Sequence, residues 1–113
     1  MFARRGERKY REILDGVKIR SLVNGEKSLM VEFLLEKGRE LPRHAHPYEQ
    51  TGYLITGSMR LFIGDRVHHV NPGDSWCIPK DVEHGAEVIE ETLLVEVFSP
   101  PREDYLPGNL HSA

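Results

Sequence analysis

A single cysteine, Cys77, leaves this 113-residue chain without any possible intrachain disulfide. Nothing in it therefore points to an oxidising compartment. Cys77 lies in the apolar run SWCIP and is expected to be a buried, inert thiol. No stretch approaches the ~20 apolar residues that span a bilayer. Positive charge is not in excess either. The net charge is −3, which argues against a nucleic-acid binder and against an anionic membrane surface as partner. The N-terminal stretch MFARRGERKYREIL is basic but has no apolar core segment, so it is not read as a signal peptide, and the expected location is the cytoplasm. Its cations Arg4, Arg5, Arg8, Lys9 and Arg11 are expected to form a solvated arm rather than an anion-binding patch. Helical periodicity is missing too, apart from one turn's worth near Lys9–Leu14. There is no internal repeat and no low-complexity tract, and the length suits one domain and not two.

What is present is strand signal. VKIRSLV (17–23) runs into Asn24-Gly25, a pair that favours a two-residue hairpin. In SLMVEFLLE (28–36), Leu29, Val31, Phe33 and Leu35 share one face, and Met30, Glu32, Leu34 and Glu36 the other. LPRHAH, TGYLIT, MRLFI, RVHHV, DSWCIP, HGAEVIE and TLLVEVF follow, each set off by Gly, Pro or Asn, with Gly57-Ser58 separating TGYLIT from MRLFI. Short strands every 8–12 residues predict an all-β antiparallel sandwich or closed barrel. The predicted layout is an arm at 1–15, a barrel at 16–98 and a proline-rich tail at 99–113. That tail cannot be a central strand and is expected to wrap the outside or cross a barrel mouth.

Chemistry concentrates in PRHAHPYEQTGYLITG (42–57). Alternate residues of a strand face the same way, so His44 and His46 present two imidazoles together, their Cα atoms about 7 Å apart. Neutral imidazole suits zinc, copper, iron and nickel. His84, in PGDSWCIPKDVEHG, follows two further strand signals that return the chain towards the first pair. Three histidines and one oxygen ligand would leave room for water or substrate. His68 and His69 are adjacent on a strand, face opposite ways and are not read as ligands. His111 sits in the loose tail, and Trp76 is expected in the core.

Two motifs carry a family resemblance. Gly38 to Gly57 reads G-x5-H-x-H-x3-Q-x6-G, and Gly73 to His84 reads G-x5-P-x-D-x2-H. Fifteen residues separate Gly57 from Gly73. The pair resembles the two cupin motifs, G-x5-H-x-H-x(3,4)-E-x6-G and G-x5-P-x-G-x2-H-x3-N. What the resemblance implies is a single-domain cupin, a double-stranded β-helix or jelly-roll barrel, with one divalent metal (Zn, Ni, Mn, Co or Fe) held by His44, His46, Gln50 and His84. The family's glutamate position falls on Gln50, and residue parity agrees, since 44, 46, 48 and 50 alternate together while Glu49 does not; Pro47 could disturb that parity, which leaves Glu49 as the alternative. Asp81 replaces the usual glycine and tolerates positive φ better than most residues. Val88 replaces the final Asn.

LLVEVFSPPREDYL (93–106), with HPYEQTGYLITG and VEHG, is similar to the KdgF subgroup of cupins, and the likeness covers about 13–106. That resemblance implies ring opening and ketonisation of 4,5-unsaturated uronates, with Glu96 and Arg102 as catalytic residues and Phe98 lining the site. The subgroup usually has Asp where Glu96 stands. Leu94, Glu96 and Phe98 share one strand face, and a carboxylate there needs a partner or a purpose. The plainer alternatives are an outward Glu96, Phe98 as core filler, and Arg102 in a surface ion pair with Glu103 or Asp104. Tyr53 and Met59 are expected to line the lumen and contact substrate. The expected partner is a small acidic sugar, and the expected assembly a homodimer. Rival readings are a metal-dependent cupin oxygenase and a non-catalytic sugar-binding cupin.

Overall fold

In the computed structural model, which describes residues 1–106, eight antiparallel strands form one continuous, curled sheet system. They are β1 (Arg11–Leu14), β2 (Val17–Asn24), β3 (Leu29–Leu35), β4 (Glu40–His44), β5 (Glu49–Ile63), β6 (Arg66–Val70), β7 (Ser75–Ile78) and β8 (His84–Ser99), followed by a single 3₁₀ turn at Glu103–Tyr105. No helix among the described residues is long and apolar enough to cross a membrane.

Two long strands carry the architecture. The first half of β5 pairs with β7 and with the second half of β8, and its second half pairs with β6 and with the first half of β8. β3 adds to the second half of β8, and β4 to its first half. Both long strands thus serve both layers of a double-sheet barrel. The bend in β5 falls where its register to β8 shifts, between Leu54 and Ser58. Gly57 sits there at φ 100°, and a Cβ on it would lie 2.3 Å from the Glu91 carbonyl oxygen. Sequence punctuation at Gly57-Ser58 therefore marks a bend inside one strand, not a break between two. HGAEVIE and TLLVEVF likewise belong to one strand.

Alternation then builds the core. Val17 and Ile19 on β2, Leu29, Val31, Phe33 and Leu35 on β3, and Leu94 and Phe98 on β8 are all buried. Register places them in cross-strand rows, among them Ile19–Phe33–Leu94–Leu54 and Leu29–Phe98–Gln50–Ile78.

Four expectations are corrected. The Asn24-Gly25 signal does not make a two-residue hairpin: Asn24 pairs with Leu29, and Gly25 donates to the Ser28 carbonyl, closing a longer loop. The possible turn near Lys9–Leu14 is strand β1, so the sheet reaches into the expected arm. Cys77 is exposed, because Trp76 and Ile78 take the inward positions of β7 and alternation sends Cys77 outward. Trp76 is only half-buried, packed against the core rather than in it.

Candidate metal centre and cavity

Backbone geometry explains why the histidines meet. His44 closes β4 and His84 opens β8, and the two are direct cross-strand partners. Gly85 permits the approach: a Cβ there would lie 2.8 Å from the Leu41 carbonyl oxygen. The loop between β7 and β8 turns at Asp81, the only non-glycine residue with positive φ among those described, at 63°. Its backbone N–H donates to the His46 carbonyl at 2.8 Å, so the second motif braces the first.

The three rings form a cluster. Centroids lie 4.4 Å apart for His44 and His84, 4.8 Å for His46 and His84 and 5.3 Å for His44 and His46. One ring nitrogen from each lies within 4.8 Å of the others. Nδ1 of His44 donates to the Pro42 carbonyl and Nδ1 of His84 to the Val82 carbonyl, both at 2.9 Å. That fixes the tautomer and leaves each Nε2 lone pair for a cation. Burial pushes His84 down to about 4, with the His44 and His46 rings adding to the effect. His46 is lowered as well, by burial and then by the Arg102 cation. Both are neutral near pH 7, the form that binds metal.

Gln50 is buried at the inner face of β5, and Glu49 points outward. The Gln50 amide Nε2 donates to Glu96 Oε2 at 2.7 Å, while its Oε1 is shielded from solvent with no hydrogen-bond partner. Neither ring nitrogen of His46 has one. Buried polar atoms without partners are uncommon, and a cation would satisfy these. Three imidazoles and one amide oxygen fit a divalent transition metal.

The centre opens into a cavity of about 600 Å³. Glu96 lines it and is buried on the inner face of β8, so the outward alternative does not describe its position. Burial pushes its carboxyl up, opposed by the N–H donors of Trp76 and Gln50 and by the Arg102 cation. Phe98 and Met59 line the same cavity, and Phe98 is also fully buried in the core. Arg102 lines it too, while its Nε donates to both Asp104 oxygens at 3.0 and 3.2 Å. Its guanidinium lies 3.9 Å from the Tyr105 ring centroid, 5.7 Å from Phe98 and 5.9 Å from Tyr48. The surface ion pair and the cavity position thus coexist, the first holding the side chain for the second.

Tyr53 is a correction. It is 52% exposed and outside the cavity, because the parity that turns Gln50 and Leu54 inward turns Tyr53 outward. His68 and His69 are both exposed on β6. His111 lies outside the described residues.

Sequence reasoning missed two residues that line the cavity, Arg11 and Tyr105, and the contact of a third, Trp76, with Glu96. Arg11, read as part of a solvated arm, lines the cavity. It sits opposite buried Ile19, on the inward-facing alternation of β1. Its signal was the alternation of REIL. Tyr105 is buried beside Arg102, and its backbone carbonyl accepts from the Ser21 hydroxyl, tying the chain after β8 back to β2. Trp76 Nε1 donates to Glu96 Oε2 at 3.0 Å.

Comparison with known proteins agrees with this geometry. Residues 31–99 match the cupin domain family. Pectin degradation protein KdgF of Dickeya dadantii (strain 3937) is 29% identical over 102 residues, 88% of this chain and 93% of that protein. H2HPP isomerase of Bacillus subtilis is 30% identical over 97 residues, 83% of this chain but 41% of that protein. Among solved structures, an RmlC-like cupin from Shewanella frigidimarina NCIMB 400 superposes with a TM-score of 0.88 at 28% identity, covering 93% of this chain and 95% of that one. KdgF from Halomonas sp. superposes with a TM-score of 0.89 at 24% identity, covering 94% and 100%; at that identity it speaks for the fold.

Proposed function

The chain belongs to the cupin family, and from that premise we propose that it is a metal-dependent enzyme that linearises 4,5-unsaturated uronates in the cytoplasm, acting as a homodimer. The observation that carries this reading is the buried Glu96 carboxyl, hydrogen-bonded to the candidate ligand Gln50, in a cavity that also holds Arg11 and Arg102.

Each group has a task. His44, His46, His84 and Oε1 of Gln50 would hold the metal, one of Zn, Ni, Mn, Co or Fe; with a neutral shell, its full double charge is available to act as a Lewis acid on substrate oxygen. Glu96 carries the proton. It takes the proton of the anomeric hydroxyl as the C1–O5 bond breaks, so C1 becomes an aldehyde and the electron pair passes to O5. The resulting enolate spans O5, C5 and C4. Glu96 then returns the proton to C4, leaving a ketone at C5. One proton moves and no oxidant is consumed. Burial raises the Glu96 carboxyl while Trp76, Gln50 and Arg102 draw it back, a balance that suits a group which both accepts and donates.

The two arginines favour an acidic substrate. Asp104 pins Arg102 through Nε, and the terminal nitrogens make no hydrogen bond to a described residue. That arrangement suits bidentate capture of a carboxylate. Arg11 places a second cation on an otherwise core-forming face. Phe33, Leu94 and Phe98 supply apolar walls against which a sugar ring can lie.

The test is an assay of metal-analysed protein on a 4,5-unsaturated galacturonate, following loss of the conjugated absorbance together with dissolved O₂. Loss of the band without O₂ uptake is expected, and Glu96→Gln, assayed at saturating metal, should reduce it by about 10²–10⁴-fold. Wild-type turnover in Glu96→Gln would remove the proton carrier from the scheme. O₂ consumption would move the protein to the oxygenase reading, and tight binding without turnover to a sugar-binding one.

A further inference from the structure

We propose that Trp76 is a positioning residue of the metal centre: its indole N–H holds Glu96, Glu96 sets the amide of Gln50, and Gly52 is the gap through which the indole reaches. The last link rests on the reading of Gln50 as a metal ligand.

Trp76, Gly52 and Glu96 stand in one cross-strand row over β7, β5 and β8. Adjacent strands are about 4.8 Å apart, so the backbones of Trp76 and Glu96 are separated by two spacings, with residue 52 between them. Any side chain at 52 on the inner face would occupy the intervening space. At Gly52 the indole fills it instead: an ideal Cβ there would lie 2.2, 2.3 and 2.4 Å from three atoms of the Trp76 ring. The ring lies across β5, and its Nε1 ends 3.0 Å from Glu96 Oε2.

The chemistry gives the chain of contacts a direction. Indole N–H can only donate, and an ionised carboxylate can only accept. The same Oε2 also takes the Gln50 amide at 2.7 Å. A carboxylate in that place selects the NH₂ end of Gln50 and turns the carbonyl oxygen away from itself. That oxygen, Oε1, is the buried atom with no hydrogen-bond partner. The indole thus acts on the candidate fourth ligand through one intermediary. Neither Trp76 nor Gly52 is a specified position of the two motifs; Gly52 falls on an unspecified residue inside the first and Trp76 on one inside the second, so motif spacing does not single them out.

Trp76 is the only tryptophan in the chain, which gives the test a clean signal. The full chain is titrated with zinc against a competing chelator. The indole N–H resonance is recorded in ¹⁵N-labelled protein, and thermal melts check folding. Trp76→Phe keeps an aromatic ring over Gly52 and removes only the donor. It should weaken zinc binding about tenfold, as loss of an outer-shell partner does, with the melt of the metal-free protein near wild type. Gly52→Ala should weaken zinc to a similar degree and shift the indole resonance. Glu96→Ala should move that resonance too, and adding Trp76→Phe to it should weaken zinc no further.

Wild-type zinc affinity in Trp76→Phe, or losses that multiply in the double variant, would overturn the inference. Gln50→Ala separates the two levels. If it weakens zinc while Trp76→Phe does not, the positioning role fails and the ligand reading stands. If Gln50→Ala leaves zinc affinity unchanged, the ligand reading itself falls, and the last link with it.

Discussion

His44 and His84 are direct partners across β4 and β8, with ring centroids 4.4 Å apart and each Nδ1 committed to a backbone carbonyl. Two oriented lone pairs in a shared pocket are of little use to a protein without a cation. One divalent transition-metal ion per chain is therefore expected. Because the ion binds the folded state, a metal concentration about a hundred times Kd should stabilise the protein by about 2.7 kcal/mol. For a domain of this size that is about 10–20 °C in Tm. His84→Ala should abolish both the bound metal and the shift, as read by elemental analysis and calorimetry. A metal-dependent shift that survives in His84→Ala would place the ion elsewhere.

Two turns make opposite demands. Asp81 holds a left-handed conformation at φ 63° with a side chain that tolerates it, whereas Gly57 at φ 100° has no room for any side chain. Asp81→Gly should change stability by no more than about 1 kcal/mol, because relief of strain offsets the added freedom of the unfolded chain. Asp81→Val should be clearly destabilising. Gly57→Ala places a methyl 2.3 Å from the Glu91 carbonyl and 2.5 Å from Thr92 Oγ1. It should cost at least about 3 kcal/mol, enough to separate the variants in urea unfolding. Equal effects at the two positions would show that the bend of β5 is not steric.

Motif spacing made much of the site legible where strand parity could not. β4 ends at His44 and β5 begins at Glu49, so His46 lies between strands and alternation does not run unbroken from His44 to Gln50; inside β5 it turns Gln50 inward and Glu49 outward. Within β5 the same alternation, three residues on from Gln50, turns Tyr53 outward, and within β7 it turns Trp76 inward with Ile78. β8 resisted it. In TLLVEVF both alternating sets are largely apolar, so alternation alone could not say which face met the lumen. Only pairing with β3 and β5 puts Leu94, Glu96 and Phe98 inside. Arg11 was obscured by composition: five cations in eleven residues read as a solvated arm, although its own strand alternates. Asp81 was the opposite case, a departure from the motif whose backbone consequence could be stated from residue type.

The second apolar face of β8 raises its own expectation. Leu93, Val95 and Val97 are half-buried on the outer surface, with Leu34 and Met30 paired to them on β3 and Tyr53 on β5. Met30, Tyr53 and Ile55 are 38%, 52% and 40% exposed. An apolar face of this kind, interrupted on β3 by Glu32 with its Arg20 partner, calls for cover on a small domain, and a second copy supplies an identical, self-complementary one. Light scattering should give twice the chain mass. The double variant Tyr53→Lys, Ile55→Lys should give a single chain mass, through like charges placed at the contact. A wild-type monomer at micromolar concentration would remove the proposed homodimer.

The last prediction concerns how β1 is held. The Tyr10 hydroxyl donates to Glu32 on the outer face of β3, and Arg20 binds the same carboxylate at 2.7 Å with its guanidinium 4.3 Å over the Tyr10 ring. The next residue, Arg11, turns inward to the cavity. Burial, then the hydrogen bond and charge of Glu32, push Tyr10 from 10.0 up to about 12. The folded protein therefore keeps this proton over a range in which the unfolded chain has lost it. The contribution is whole below pH 10, declines as pH rises from 10 to 12, and is gone above. Its size is modest, because the half-buried pair lies near the surface and is partly screened by solvent. The stability difference between wild type and Tyr10→Phe should be constant below pH 10 and shrink across that window. A difference that grows with pH would contradict the assignment. If the tether also aims Arg11, Tyr10→Phe should raise KM for an acidic substrate in the same direction as Arg11→Gln, with kcat retained in both. An unchanged KM in Tyr10→Phe beside a raised one in Arg11→Gln would limit the tether to stability.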